Sequence, residues 1–222
     1  MTTVYHNHLV QGSEEWLAAR QGMMTASEMN LILTPTLKVA NNEKTRAHMY
    51  ELLAQRITSY VEPRYISDDM LRGMDDEIEA RRLYHINKAK VVDVGFVTND
   101  KWGFTLGYSP DGLVGDDGLI EIKSRRQKYQ VQTFVEDCVP DEFMLQLQTG
   151  LLVTERSWID FISYSAGLPM FVMRVEALPE YQSVILAAAT AFEAKVTELL
   201  TIYQSATMGL EPTERRIIEE MF

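Results

Sequence analysis

The chain has 222 residues, 46% of them hydrophobic, enough apolar material for one large domain with a substantial core. No apolar run approaches the roughly eighteen residues of a membrane span, Met1-Thr2-Thr3-Val4 carries no signal-peptide pattern, and Cys138 has no second cysteine to pair with. A cytoplasmic protein with no membrane role is therefore expected. A net charge of −11 argues against a surface that coats nucleic acid nonspecifically, and four scattered histidines without CxxC or HExxH spacing argue against zinc.

In chain order, His6 and His8 lie near the start and are expected to be exposed. Ser13 is placed to cap a helix over Glu14-Glu15-Trp16-Leu17-Ala18-Ala19-Arg20, which Gly22 ends. Thr25-Ala26-Ser27-Glu28 has the form of a capping box and opens a second helix through Met29, Leu31 and Ile32, stopped by Thr34-Pro35-Thr36. Further helices are expected over 44–58 and over about 75–87, where Asp75 and Asp76 suit a helix start. Residues 90–97 read as a strand. Residues 102–123 read as a hairpin whose first strand covers 103–109 and whose turn is Gly115-Asp116-Asp117-Gly118. A helix over 141–154, strands over 158–164 and 170–175, and a long helix from 178 to about 205 follow. No repeat, low-complexity tract or linker divides residues 1–222, so one domain of α/β (α+β) class is expected, with a central mixed β-sheet flanked by helices. The tail, about 206–222, is either a short amphipathic contact helix from Thr213 or a docked end.

The stretch richest in chemistry is Ser109-Pro110-Asp111-Gly112, followed by Ile120-Glu121-Ile122-Lys123. Alternation in a strand sends Glu121 and Lys123 to one face and Ile120 and Ile122 to the other, into the core. The hairpin then brings Asp111 beside Glu121. Two such carboxylates suit one or two Mg²⁺ ions, because a hard cation takes oxygen ligands and keeps waters for chemistry. Lys123 would orient or activate a water and offset charge developing on a phosphate. The competing reading is a solvated sheet face. Asp116 and Asp117 are fully explained as turn residues.

Three other stretches bear on the same chemistry. On the helix over 75–87, Glu77 shares a face with Ala80, Arg81 and Tyr84 and is the better candidate for an inward acid. Gln146 and Gln148 interrupt an apolar run, and their separation of roughly 200° around a helix leaves one for a site and the other for the surface. Thr25 and Ser27 fall at a helix start, where free N–H groups favour an anion, and Arg20 could add a forked phosphate contact; ordinary capping is the alternative. Basic residues cluster at Arg81-Arg82, Lys88-Lys90 and 123–128, the last cluster serving as a phosphate track or as a solvated strand end.

These blocks, in this order, resemble the lambda-exonuclease (YqaJ-type viral recombinase) branch of the PD-(D/E)XK nucleases over roughly residues 11–200. The resemblance implies a restriction-endonuclease-like core. In it Asp111, Glu121 and the Ile122 backbone carbonyl would ligate metal, Lys123 would assist the nucleophilic water, Glu77 would support the metal site and Gln146 would lie near the water. It assigns Arg20, Ser27 and Thr25 to the terminal 5′-phosphate of a DNA end, and Met70 or Leu71, just before Gly73, to strand separation. The implied activity is Mg²⁺-dependent 5′→3′ digestion of one strand from double-stranded DNA ends, with Mn²⁺ able to substitute. The product would be a 3′ overhang for single-strand-annealing recombination. The implied partners are two further copies in a homotrimeric ring and a phage-type annealing protein, in a bacterial or phage-infected cell. Ser124-Arg125-Arg126 departs from the cysteine-proline of some relatives. The rival readings are a DNA endonuclease of the same fold and a non-catalytic DNA-end-binding protein.

Overall fold

The computed structural model describes residues 2–63 and 67–215. The expected mixed-sheet α/β architecture is present, with the strands divided between two sheets. One has the order β1-β4-β5-β2, formed by β1 (Thr3–His6), β2 (Met24–Thr25), β4 (Phe96–Asn99) and β5 (Leu106–Tyr108). The other has the order β3-β6-β7-β8-β9, formed by β3 (Val91–Val92), β6 (Gly112–Val114), β7 (Gly118–Ser124), β8 (Trp158–Tyr164) and β9 (Phe171–Glu176). Among the described residues only β2–β5 and β7–β8 pair in parallel; the latter needs the long crossover that helices α4 (Gln127–Glu136) and α5 (Asp141–Thr154) supply.

Alternation along β7 places the site. Ile120 and Ile122 pack with Val91, Val114 and Ile162 beneath Ala80 and Tyr84 of α3 (Asp68–Asn87). Leu119 faces the larger core with Leu145, Leu147, Leu151, Ile159 and Phe161, which α5 and α6 (Pro179–Ala206) cover. Both faces of β7 are therefore buried, and Glu121 sits at the margin of the larger core, not on a solvated face. A hydrogen-bonded triad fastens α3 to the sheet: buried Tyr84 donates to Asp160 Oδ2 at 2.7 Å, and the exposed Arg174 donates from Nε to Asp160 Oδ1 at 2.8 Å.

The hairpin is smaller than expected. Its strands are β6 and β7 around the turn at 115–117, whereas β5 belongs to the other sheet, antiparallel to β4. The expected strand over 90–97 is two strands in different sheets. The break falls at Gly95, where an added Cβ would lie 2.0 Å from the Leu9 carbonyl oxygen, so only glycine lets the two segments pass. The helix α1 (Glu14–Arg20) is capped by Ser13 as expected, and α2 covers Glu43–Thr58. After Thr25, however, the chain forms a short 3-10 segment, Ala26–Leu31, in place of an α-helix, and Thr25 makes no side-chain cap. Ser67 caps α3, which starts well before Asp75, so Asp75 and Asp76 are interior residues and not a helix start. Three elements went unpredicted, β1, β2 and α4. His6 is consequently half-buried in β1, hydrogen-bonded to Thr98 Oγ1 at 3.0 Å, while His8 is exposed. Past α6 the described tail is irregular; the Arg215 guanidinium lies 4.0 Å from the centre of the Tyr60 ring. Most of the expected contact helix, 216–222, lies outside the described residues.

Candidate active site

At the end of β5 the chain leaves the first sheet, and Ser109-Pro110-Asp111 carries it to β6 of the second. This crossing delivers Asp111 to Glu121, in the middle of β7. Asp111 Oδ2 accepts the Ile122 backbone N–H at 2.5 Å, which fixes the first carboxylate against the strand bearing the second. Glu121 is 2% exposed and receives three donors. Tyr108 Oη donates to its Oε2 at 2.6 Å, while Lys123 Nζ at 2.7 Å and Gln146 Nε2 at 2.5 Å donate to its Oε1. Lys123 also donates to Gln146 Oε1 at 3.0 Å and lies 5.5 Å from the centre of the Phe143 ring. Asp111, Glu121, Lys123 and Gln146 thus come together as the alternation of β7 and the start of α5 dictate.

The electrostatics are those of crowded acids. Burial, then the charges of Glu121 and Glu77, push the Asp111 carboxyl well above the usual carboxylate range. Burial works against the Lys123 ammonium, but Glu121 and Asp111 outweigh it and hold its pKa above the ordinary value. Burial also raises Glu77, opposed by Arg81 at 2.8 Å and helped by Glu121. Glu77 is therefore close enough to feel the pair yet is tied to Arg81. Among the described residues no three His, Cys, Asp or Glu side chains converge as a metal cage. The donor chemistry nevertheless suits a hard divalent cation: two buried carboxylates share one ammonium, and the charge left over is what such an ion neutralises.

Arg20 stands across the same cavity. Its Nη1 donates to Ser109 Oγ at 3.1 Å and its Nη2 to Thr25 Oγ1 at 3.3 Å, with the guanidinium 4.3 Å from the centre of the Trp16 ring. Thr25 Oγ1 in turn donates to Glu28 Oε2 at 2.7 Å and lies 3.2 Å from the exposed Ser27 hydroxyl. The cavity is about 180 Å³ and is lined by Arg20, Thr25, Ser27 and Ser109 together with Asp111, Glu121 and Gln146. The anion-binding and acidic groups predicted separately thus share one space. A six-residue 3-10 segment stands where the α-helix terminus invoked for anion binding was expected, so no α-helix dipole is aimed at Thr25 and Ser27.

Other predicted residues fall elsewhere. Gln148 is not at the surface: fully buried, it donates to the Glu176 carbonyl and accepts the Leu178 N–H, each at 2.8 Å. Asp76 is buried and accepts from Ser124 Oγ at 2.6 Å. Met70 and Leu71 are half-exposed in the first turns of α3, outside the cavity wall. Asp69, beside them, pairs with Arg126 at 2.7 Å and Arg72 at 2.8 Å. In the basic run, Arg125 pairs with Glu142 at 2.7 Å, so this stretch is partly neutralised. Sequence reasoning missed Tyr108, Trp16 and Phe143. For Tyr108 the available signal was its place directly before Ser109-Pro110-Asp111.

The chain matches the model of the YqaJ-like viral recombinase domain over residues 15–157. Among curated proteins none matches it. It is similar to the crystal structure of an alkaline exonuclease, LHK-Exo, from Laribacter hongkongensis: 32% identity, 90% of this chain and 100% of that chain covered, TM-score 0.80. LHK-Exo in complex with dAMP gives 32% identity, the same coverage of 90% and 100%, and a TM-score of 0.81. A phage-related exonuclease from Haemophilus somnus 129PT shares the fold at 12% identity, with 82% of this chain and 96% of that chain covered and a TM-score of 0.56.

Proposed function

Because this chain belongs to the YqaJ-like viral recombinase domain family and has its PD-(D/E)XK fold, we propose that it is a Mg²⁺-dependent 5′→3′ exonuclease that digests one strand of double-stranded DNA. The observation that carries this reading is a cavity whose walls hold a cation with hydroxyls on one side and paired acids with Gln146 on the other, Lys123 donating to Glu121 and Gln146. Exonuclease relatives, one of them complexed with a deoxynucleoside monophosphate, support it.

In this reading Asp111 and Glu121, with the Ile122 carbonyl, hold Mg²⁺ or Mn²⁺. Such an ion would supply Lewis-acid polarisation of the scissile phosphate and a lowered pKa for a bound water. Lys123, kept as an ammonium, donates to the water or to the non-bridging phosphate oxygens, and the Gln146 amide orients the same water. Glu77 adds negative charge at the edge of the site. Arg20, Ser27 and Thr25 hold the terminal 5′-phosphate, one nucleotide away from the bond that breaks. Water oxygen bonds to phosphorus as the P–O3′ bond breaks, and the leaving 3′-oxygen takes a proton. The remaining strand then carries a new 5′-phosphate, so each turnover regenerates the group that Arg20 recognises.

Met70 or Leu71, exposed at the front of α3, would part the strands. The protein would act as a homotrimeric ring, with a phage-type annealing protein receiving the 3′ overhang, in the cytoplasm of a bacterial or phage-infected cell. A closed ring explains how a chain of net charge −11 stays on DNA: topology retains the duplex while the outer surface repels other nucleic acid. The test is a digestion time course on linear duplex labelled at either end, with Mg²⁺ added last. Loss of the 5′ label first, no digestion of covalently closed duplex, and arrest by EDTA are expected; cleavage of the closed duplex would instead mark an endonuclease.

A further inference from the structure

We propose that Tyr108 is a positioning residue for the metal ligand Glu121, its hydroxyl selecting which carboxylate oxygen faces the cation. The inference rests on the metal-site reading above and goes beyond it. Glu121 Oε1 accepts two hydrogen bonds, from Lys123 at 2.7 Å and Gln146 at 2.5 Å, which occupy both of its lone pairs. Oε2 accepts one, from Tyr108 at 2.6 Å, and keeps one lone pair open. Oε2 is thus the oxygen available to an ion without breaking an existing bond, and the phenol beside it fixes the direction of the remaining lone pair.

The ring is held so that it can do this. Tyr108 is 1% exposed. It packs against Gly150, inside α5, where an added Cβ would lie 2.7 Å from Cε1 and 2.8 Å from Cζ of the ring. Glycine is disfavoured within a helix relative to alanine, so a residue that clears room for this ring marks a demand of tertiary packing. Phenylalanine would fill the same space, so packing alone does not explain the hydroxyl. Tyr108 also ends β5, directly before the crossing that delivers Asp111, so one short segment carries the first ligand and steadies the second. Partners of this kind, behind a metal ligand, are typically worth about 10–100-fold in metal affinity or activity.

The experiment is Mn²⁺ titration calorimetry on the full chain without DNA, comparing wild type with Tyr108→Phe, alongside digestion of linear duplex across a range of Mg²⁺ concentrations. The variant is expected to bind Mn²⁺ about 10-fold more weakly or worse, to need correspondingly more Mg²⁺ for half-maximal digestion, and to regain most of its turnover at saturating Mg²⁺. Should Tyr108→Phe fail to fold by circular dichroism, Gly150→Ala, which keeps the hydroxyl but displaces the ring, is expected to weaken Mn²⁺ binding likewise. Unchanged Mn²⁺ affinity in a folded variant, beside a wild type that binds Mn²⁺ and digests DNA, overturns this inference alone. A wild type that binds no Mn²⁺ overturns the metal-site reading with it.

Discussion

Asp111→Asn should stabilise the metal-free protein while removing its activity. The side chain is 8% exposed, and its one hydrogen bond in the fold is from the Ile122 N–H, which an asparagine Oδ1 can also accept. Packing volume is kept. What changes is charge: burial and the nearby Glu121 and Glu77 all disfavour the carboxylate, and only Lys123 and the Ile122 N–H favour it. Replacing buried charge with neutral groups of similar volume is often stabilising by about 1–4 kcal/mol. Lys123 loses some attraction but keeps Glu121 at 2.7 Å, so the lower part of that range applies, about 1–2 kcal/mol. For a chain of this length each kcal/mol moves the melting temperature by about 2–4 °C, which gives a rise of about 2–8 °C.

The sign with pH follows from the direction of the shift. A carboxyl whose folded pKa is raised contributes its stability below the unfolded value, about 3.9, and loses it as pH climbs through the folded value. The advantage of Asp111→Asn in EDTA should therefore be small near pH 4 and grow toward alkaline pH. Metal reverses the order. An ion at 100 times its Kd stabilises the wild type by about 2.7 kcal/mol, and the variant, short of a charged ligand, gains far less. Melting curves by circular dichroism in EDTA and in Mg²⁺, from pH 4 to pH 9, test both halves. A variant that melts below the wild type in EDTA at alkaline pH refutes the reasoning.

Lys123→Ala should lose most turnover at every Mg²⁺ concentration yet retain Mn²⁺ binding by calorimetry, since the ammonium neutralises charge without ligating the ion. A 5′-phosphorylated duplex end should be digested faster than a 5′-hydroxyl end, and Arg20→Ala should erase about 1.5–3 kcal/mol of that preference, measured as the ratio of initial rates on the two ends. If the protein is a ring, sedimentation should give a trimer, and a heparin trap added after digestion begins should leave long tracts degraded, whereas the same trap added first should block the start.

Where the sequence pattern spans several periods, it predicts the structure closely. The helix over 141–154 and the strand over 158–164 match α5 and β8 residue for residue, and the alternation from Ile120 to Lys123 separates the core face from the site face as observed. Short elements do not offer a period to read: β2 and β3 have two residues each, and β1 has four. Helix α4 was hidden for a different reason. Its inward positions are the polar Gln130 and Thr133, while Val131 and Val135 are exposed at 51% and 78%, so its burial pattern reverses the usual one. Gln130 is retained inside because it bridges the Ser163 and Pro169 carbonyls at 3.0 and 2.7 Å. The front of α3 was missed because Met70, Leu71 and Met74 face solvent and Gly73 interrupts the helical pattern.

The same distinction separates the residues of the site that sequence reveals from those it conceals. The convergence of Asp111, Glu121 and Lys123 is legible because it depends on spacing within one segment, ten residues and then two. Trp16 and Tyr108 act across segments: each reaches its partner only because the chain crosses between sheets at Ser109-Pro110-Asp111. No local period encodes that crossing. What it leaves in the sequence is indirect, a glycine inside α5 where Tyr108 must fit and a serine whose Oγ accepts from both Arg20, at 3.1 Å, and the Trp16 indole, at 2.9 Å. Residues that break a local preference without local compensation mark the places where tertiary or functional demands prevail. Gly150 meets that description, and substitutions there should disturb the proposed metal site before they disturb the helix.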